Sequence, residues 1–437
     1  MSTYWCEQAW LPGGVAGGVE VVAGADGRIV AVRTGVAPAP GAHRLSGLVL
    51  PGAGNAHSHA FHRALRGRVD GGGTFRTWRA AMYDLAGRLD PDRYLTLATA
   101  VYAEMVLAGW TSVGEFHYLH HAPGGRRYAQ PTVMADALRT AAARAGIRLT
   151  LLDTCYLAGG FGAGLAPEQA RFGDATVAAW ADRLGAHPVD TASSRTGAAI
   201  HSVRAVPLQA LPDVVAVAGT CPLHVHLAEQ ADEVAGCRAV YQRSPARVLS
   251  DAGVLGPRTT AVHAIHLDSA DVGLLGAAGV SVAACPSTEA DLGDGIGPFA
   301  ELAAAGCPIV LGSDQHVVVD PFTEARALEH GQRLRTGCRG HFTAHQLVWA
   351  LTGAGYAALG WPGDGVLTPG AVGDLVAVCT DSPRTAGCVP ERVPLAATAS
   401  DVDTVVVGGR VVTEGGRHVE LGDVGALLRS AIAQVWS

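Results

Sequence analysis

The 437-residue sequence predicts a (β/α)8 TIM-like barrel with a small β-sandwich built from both chain ends. Three observations lead there. Between residues 45 and 314, short apolar, β-branched runs alternate with longer alanine- and leucine-rich stretches. The short runs are apolar throughout, as strands of a parallel sheet covered on both faces must be. Polar residues then recur at the C-terminal ends of these runs, where a barrel gathers its site. A doubly wound open sheet is the alternative, and it does not predict polar residues at so many strand ends.

Taken in order, residues 1–44 alternate in short segments broken by turns, with GADG (24–27) as a hairpin signal. The eight barrel strands are read at 45–57, 111–117, 147–156, 197–203, 222–229, 259–266, 280–288 and 308–314. Between them, 92–109 places Leu95, Ala98, Val101, Tyr102, Met105 and Val106 on one face at helical spacing, starting after Asp90-Pro91 and stopping at Gly109. The stretches 132–146 and 299–306 also end at glycine before the next strand. AQPTV (129–133) and the glycines of 159–164 read as loops. Residues 366–437 return to alternating, turn-punctuated segments such as GDLVAV (373–378) and VDTVVVGGRVV, so 1–51 and 366–437 form the sandwich and 52–365 the barrel.

Composition narrows the function. Hydrophobic residues make up 49% and charged residues 16%, enough for an extensive core. A net charge of −7, with no basic stripe, argues against nucleic acid, and no run is long enough to span a membrane. MSTYWCEQAW lacks the character of a secretory signal, and the nine cysteines are scattered without a C-x-x-C pair. Both point to reduced thiols in a cytoplasmic protein, with Cys285 as a core thiol. All 32 basic residues are arginine, which excludes a Schiff-base lysine, a P-loop and any two-metal centre bridged by a carbamylated lysine.

Histidines carry the chemistry. His57 and His59 end the first strand, His117 the second, and His201 the fourth; His226 with Glu229 end the fifth, His263 with His266 the sixth, and Asp314 the eighth. One strand-end histidine is ordinary; five such ends point to a metal site. His57 and His59 are two apart, so on an extended strand both rings face one side and can share an ion. His224 and His226 share a face, so parity leaves either as a further ligand, with His226 nearer the strand end. Imidazoles with one carboxylate suit a divalent ion, Zn²⁺ first and Fe²⁺ as the alternative. His62 lies past the strand, where the chain should turn its ring elsewhere, and is the weaker candidate ligand. Glu229 beside such a site is a proton shuttle. His120, His121 and His316 are read as solvated loop histidines.

The HxH of His57 and His59, the HVHLAE and HAIH segments, the GSD closing the eighth strand and GDLVAV resemble the amidohydrolase superfamily. Without lysine, the resemblance is to its single-metal deaminase branch. It implies one ion held by His57, His59, His226 and Asp314, with Glu229, His263 and Asp314 handling protons. NAHSHAFHRAL, TFRTWRAAMYDLAGRL, EFHYLHH, IHSVRAV, HVHLAEQ, STEADLGDGI and HGQRLR, in this order, are similar to the formimidoylglutamate deiminase family. That resemblance implies hydrolysis of N-formimino-L-glutamate to N-formyl-L-glutamate and ammonia, in histidine degradation, by a homodimer. It assigns substrate binding to His62, Arg79, Tyr118, His201 and Arg204. A small dicarboxylate asks for fixed cations, and the planar fork of arginine fits carboxylates. The family's segment commonly has glutamine where this chain has His62, which bears on substrate preference more than on reaction type. Two other readings compete: a deaminase of an aminated heterocycle, such as a guanine- or pterin-like base, and a non-catalytic scaffold on a decayed barrel. The scaffold predicts lost ligands, whereas the six residues implied as ligands and proton carriers are all present.

Overall fold

A computed structural model describes residues 1–69, 72 and 75–437, and their backbone builds two eight-stranded sheets. The chain opens with β1 (Ser2–Leu11), β2 (Gly14–Ala23), β3 (Ile29–Arg33) and β4 (His43–Pro51) in one sheet. It then crosses to a second sheet through β5 (Ala53–Ser58), β6 (Trp110–His117), β7 (Arg148–Cys155) and β8 (Ser194–Ile200). That sheet continues with β9 (Leu223–Leu227), β10 (Thr259–His263), β11 (Ser281–Ala284) and β12 (Ile309–Leu311). The last strands, β13 (Leu375–Val378), β14 (Val402–Val407), β15 (Arg410–Glu414) and β16 (Arg417–His418), return to the first sheet.

The second sheet is the expected barrel. Its strands pair in parallel and in sequence order, with helices in every connection. The seam between first and last strands is drawn together by a bridge between Ser58 and Asp314. The Ser313 and Asp314 amides both donate to the His57 carbonyl (3.1 and 3.0 Å), and the His59 amide donates to the Asp314 carbonyl (3.1 Å). Two ends of the polypeptide's polar pattern, HxH and GSD, are thereby hydrogen-bonded to each other.

Two strand readings need correction. The run 280–288 is a strand only over Ser281–Ala284, because Pro286 opens a helix that runs to Leu292. The run 45–57 is two strands in two sheets, divided at Gly52. A Cβ there would sit 2.2 Å from Thr111 Oγ1 and 2.8 Å from Asp374 Cβ, so only glycine lets the chain pass between the sheets. The helix Pro91–Ala108 has the foreseen boundaries: Asp90 accepts from the Arg93 amide and Gly109 ends it at φ 101°.

The first sheet runs β16-β15-β14-β13-β4-β1-β2-β3, so the two ends of the chain meet at the antiparallel β4–β13 pair. Cys6, Val19, Val21, Val49, Leu375 and Val406 give it an apolar cluster of its own. The GG turn between β14 and β15 has both glycines at positive φ, 57° and 69°, the twist a two-residue hairpin needs. Arg148 of β7 and Asp374, just before β13, tie the sheets through a buried fork of 3.0 and 3.1 Å. Asp374 also accepts from Tyr356 Oη and the Gly408 amide, each at 2.6 Å. The closing helix Val424–Trp436 lies against Pro91–Ala108, and Trp436 donates to the Ala64 carbonyl at 3.0 Å. Among the described residues, no helix is long and apolar enough to cross a membrane.

Candidate metal centre and pocket

Two overlapping sets of side chains converge at the C-terminal rim of the barrel: His57, His59 and Asp314, and His57, His226 and His263. Within each set the ligand-capable atoms all lie within 4.8 Å of one another, and every member is buried. His57 Nε2 is 3.2 Å from His226 Nε2, and Asp314 Oδ1 is 3.5 Å from Nε2 of both His57 and His59. His59 Nδ1 donates to the Phe116 carbonyl (2.9 Å) and His226 Nδ1 to the His201 carbonyl (2.8 Å). A carbonyl only accepts, so both rings carry their proton on Nδ1 and turn a bare Nε2 lone pair toward Asp314 and His57. Lone pairs and a carboxylate crowding one point repel unless a cation lies among them, and this N,N,N,O donor set fits a divalent ion. The parity question at β9 has an answer: His224 Nε2 donates to the Ala358 carbonyl at 3.0 Å, which leaves His226 at the site.

Electrostatics agree with that use. Burial pushes the imidazoles of His57, His59 and His226 below their ordinary range, which keeps them neutral, as ligands must be. Asp314 is buried too, but the neighbouring imidazoles of His57 and His263 hold its pKa down at about 2. His263 is the opposite case: burial opposes its charge, yet Glu229, Glu289 and Asp314 raise it to about 10. Its Nε2 is 3.9 Å from Glu229 Oε1 and 3.8 Å from Asp314 Oδ2, and its Nδ1 is 3.4 Å from Glu289 Oε1. Burial, joined by Asp314, raises the pKa of Glu229 above the usual carboxyl range against the pull of His263 and Arg204. The result is a proton-carrying group beside neutral nitrogens.

A cavity opens over these residues, lined by His59, His62, Arg79, Tyr118, His201, Arg204, His226, Glu229, His263 and Asp314. Phe75, Trp78, Met82, Tyr83, Tyr156, Phe172 and Leu292 complete its walls. Every residue assigned to substrate binding from the sequence therefore borders one cavity. His62 turns back from the short helix Ala60–Leu65, and its Nε2 lies 2.9 Å from Tyr118 Oη. Arg79 sits in the helix Phe75–Gly87, between the rings of Phe75 and Tyr83, with no carboxylate partner among the described residues. Thr74, first residue of the TFRTWR segment, lies outside the described residues. Arg204 gives its Nε to Glu233 at 2.7 Å.

Sequence reasoning missed several supporting groups. Glu233 also accepts the Ala228 amide at 2.9 Å, so one carboxylate holds both Arg204 and the turn that presents Glu229. Its position early in the helix Ala231–Tyr241 is the only sequence signal it gives. Gln169 donates to Tyr156 Oη (2.9 Å) and Tyr83 Oη (3.2 Å), fixing two rings of the wall. Glu289 lies within STEADLGDGI, where no spacing rule pairs it with His263. Ala228, His263, Ala264, Asp314 and His316 are five of the six non-glycine residues described at positive φ, so backbone strain gathers at this rim.

Some readings of histidine are corrected. His120, His121 and His316 are not solvated: they are 1%, 7% and 0% exposed. His120 and His121 donate to the carbonyls of Thr154 (3.0 Å) and Gly173 (3.1 Å), within reach because their amides also donate to the Arg171 carbonyl and hold the loop after β6 against that segment. Cys285 is a buried thiol as expected, but its Sγ lies within 4.8 Å of ligand atoms of His263 and Asp314. Burial and its acidic neighbours raise the thiol's pKa well above the ordinary range, which disfavours the thiolate a ligand requires.

The arrangement has known counterparts. The amidohydrolase family profile matches residues 48–412. The formimidoylglutamate deiminase of Pseudomonas aeruginosa is 39% identical over 437 aligned residues, covering 96% of each chain. The 8-oxoguanine deaminase of the same organism is 33% identical over 377 residues, 83% of this chain and 81% of that one. The crystal structure of an amidohydrolase from Brucella melitensis superposes over 100% of both chains with a TM-score of 0.93 at 33% identity. With the barrel, the strand-end histidines and these matches together, the chain belongs to the amidohydrolase family and is a hydrolase acting on a C–N bond.

Proposed function

We propose that the protein hydrolyses N-formimino-L-glutamate to N-formyl-L-glutamate and ammonia. The observation that carries the reading is the presence of two arginines, Arg79 and Arg204, over the same cavity as the metal-ligand residues. A substrate with two carboxylates and one reactive C=N group needs that combination. The relationship to a formimidoylglutamate deiminase at 39% identity supports it. The P. aeruginosa 8-oxoguanine deaminase is also related, which leaves the substrate as the point to test.

His57, His59, His226 and Asp314 would hold the ion, Zn²⁺ by donor type with Fe²⁺ as the alternative. Bound there, a divalent ion supplies water of lowered pKa and a Lewis acid for the C=N group. Arg79 and Arg204 take the substrate carboxylates, and His62, Tyr118 and His201 line the same cavity. Asp314 accepts a proton from the attacking water. His263, protonated between its carboxylates, orients that water and stabilises the tetrahedral carbon centre. Glu229 places a proton on the imino nitrogen, turning it into an amine that can leave. The new C–O bond becomes the formyl carbonyl as the C–N bond breaks. Of the two water protons, one on Asp314 and one on the new hydroxyl, one completes the departing ammonia and the other restores Glu229. The net gain of the nitrogen is the two hydrogens of water.

The aromatic wall of Trp78, Tyr83, Tyr156 and Phe172 favours a second reading, deamination of a stacked heterocycle. Ammonia release from N-formimino-L-glutamate, guanine, 8-oxoguanine and a pterin, assayed side by side, decides between them. The dicarboxylate reading expects turnover of N-formimino-L-glutamate with N-formyl-L-glutamate as product; preferential turnover of a base would replace it.

A further inference from the structure

Beside the cage, along the seam and the neighbouring β6, lies a second polar system that the reaction does not use. Asn55 precedes His57 by two residues, Ser58 sits between His57 and His59, Ser313 precedes Asp314, and His316 follows it by two. All four, and Glu115 of β6, are 0% exposed. We propose that these five residues form a directed hydrogen-bonded brace that sets the spacing of the metal ligands across the barrel seam, with Ser58 and Glu115 as positioning residues. The proposal rests on the metal-dependent reading above.

The direction of the chain follows from its donors. Asn55 Oδ1 accepts the Ser313 amide at 3.0 Å, so the Asn55 amide nitrogen faces Ser313 Oγ, at 2.7 Å, and must donate to it. The Ser313 hydroxyl hydrogen is then free for His316 Nδ1, 3.3 Å away. His316 in turn carries its proton on Nε2, which points at Ser58 Oγ at 3.1 Å. Ser58 passes its own hydrogen to Glu115 Oε2 at 2.7 Å, and Glu115 Oε1 accepts the Ala60 amide at 2.7 Å. Reversal would have Ser313 Oγ accept from both Asn55 and His316 and leave its own hydrogen without an acceptor among these groups, so the forward arrangement is the one that satisfies every group.

The geometry explains what is held. Glu115 clasps residues 58 and 60, while its neighbour Phe116 takes the ring proton of His59, so β6 fixes three consecutive positions. On the other side of the seam, Asp314 and His316 have φ of 42° and 62°, conformations that persist only when their surroundings over-determine them. The brace spans both halves, joining the strained turn that carries Asp314 to the strand that carries two imidazoles. Groups behind metal ligands typically contribute about 10- to 100-fold in metal affinity.

The test uses the full-length Zn²⁺-loaded protein and a chromogenic chelator, comparing wild type, Ser58→Ala, Glu115→Gln and Thr150→Val. Thr150 is a control from β7 outside the seam, with two buried hydrogen bonds to Leu359 and Trp361. The brace predicts Zn²⁺ release about 10- to 100-fold faster in the two seam variants than in wild type or the control. It also predicts that metal-free Ser58→Ala unfolds at a urea midpoint like that of metal-free Thr150→Val. Equal release from all four proteins, or faster release matched by the control, overturns the brace. If Glu115→Gln does not fold, Ser58→Ala, which loses one hydroxyl, decides alone. A wild type that takes up no Zn²⁺ strikes the metal reading itself; one that binds it while the variants release it no faster strikes only the brace.

Discussion

Glu229 is 7% exposed, held above the ordinary carboxyl range, and 3.9 Å from an imidazole that keeps its own proton. Removing its acidity while keeping its shape should leave the cage intact and stop proton delivery. Glu229→Gln is therefore expected to bind metal like wild type, measured by elemental analysis, and to lose about 100- to 10,000-fold in kcat. Turnover near wild type would remove Glu229 from its role. Arg79 has a different task. Truncation to alanine deletes a charged contact to a substrate carboxylate, about 1.5–3 kcal/mol, or roughly 10- to 150-fold in kcat/KM, expressed as a higher KM at nearly unchanged kcat. At this scale the sequence points to residues that do converge on one rim and one cavity: the HxH pair through the period of two, the pocket residues through the family resemblance rather than through any spacing. What could not be read was the choice between His224 and His226. Both face the same way, and only the carbonyl of Ala358, 134 residues distant, settles which one is occupied elsewhere.

Strands and helices were legible from apolar periodicity and from caps such as Asp90 and Gly109, but not where one strand's neighbours change. The run 45–57 looks continuous because both of its halves are buried; the close approach of Thr111 and Asp374 to Gly52 divides it. Pairings among Glu115, Glu233 and Glu289 and their partners also escape the sequence. In each case the carboxylate supports a turn or a ring brought to it by folding, and an isolated glutamate carries no spacing signal. The same holds for Arg148 and Asp374, 226 residues apart, which join the barrel to the other sheet. Asp374→Ala leaves the guanidinium buried without its counter-charge, together with orphaned donors at Tyr356 and Gly408. The expected loss is about 3–5 kcal/mol in unfolding free energy, read as a lower urea midpoint at constant slope. A shift below 1 kcal/mol would show that the pair does not hold the two sheets together.

Across the molecule, buried histidines set the response to acid. Burial lowers His117 to about 3 and His121 and His224 to about 4, and carries His120 well below its ordinary value. An unfolded chain protonates these rings near pH 6.5, whereas the folded protein resists until about pH 3 to 4, so the unfolded state binds more protons in between. Stability is thus expected to fall as pH drops from 6.5 toward 4, by up to about 1.4 kcal/mol per pH unit for each such ring. Urea midpoints at pH 7 and 5 measure it, and equal midpoints would contradict it. The central claim, that one divalent ion in this cage drives hydrolysis of a formimino dicarboxylate, has a more direct test. Metal-free protein is titrated with Zn²⁺ while ammonia release from N-formimino-L-glutamate is followed. The account predicts activity that rises linearly and levels off at one equivalent of Zn²⁺. Ammonia release that is absent at every ratio, or that is already full before any metal is added, would contradict it.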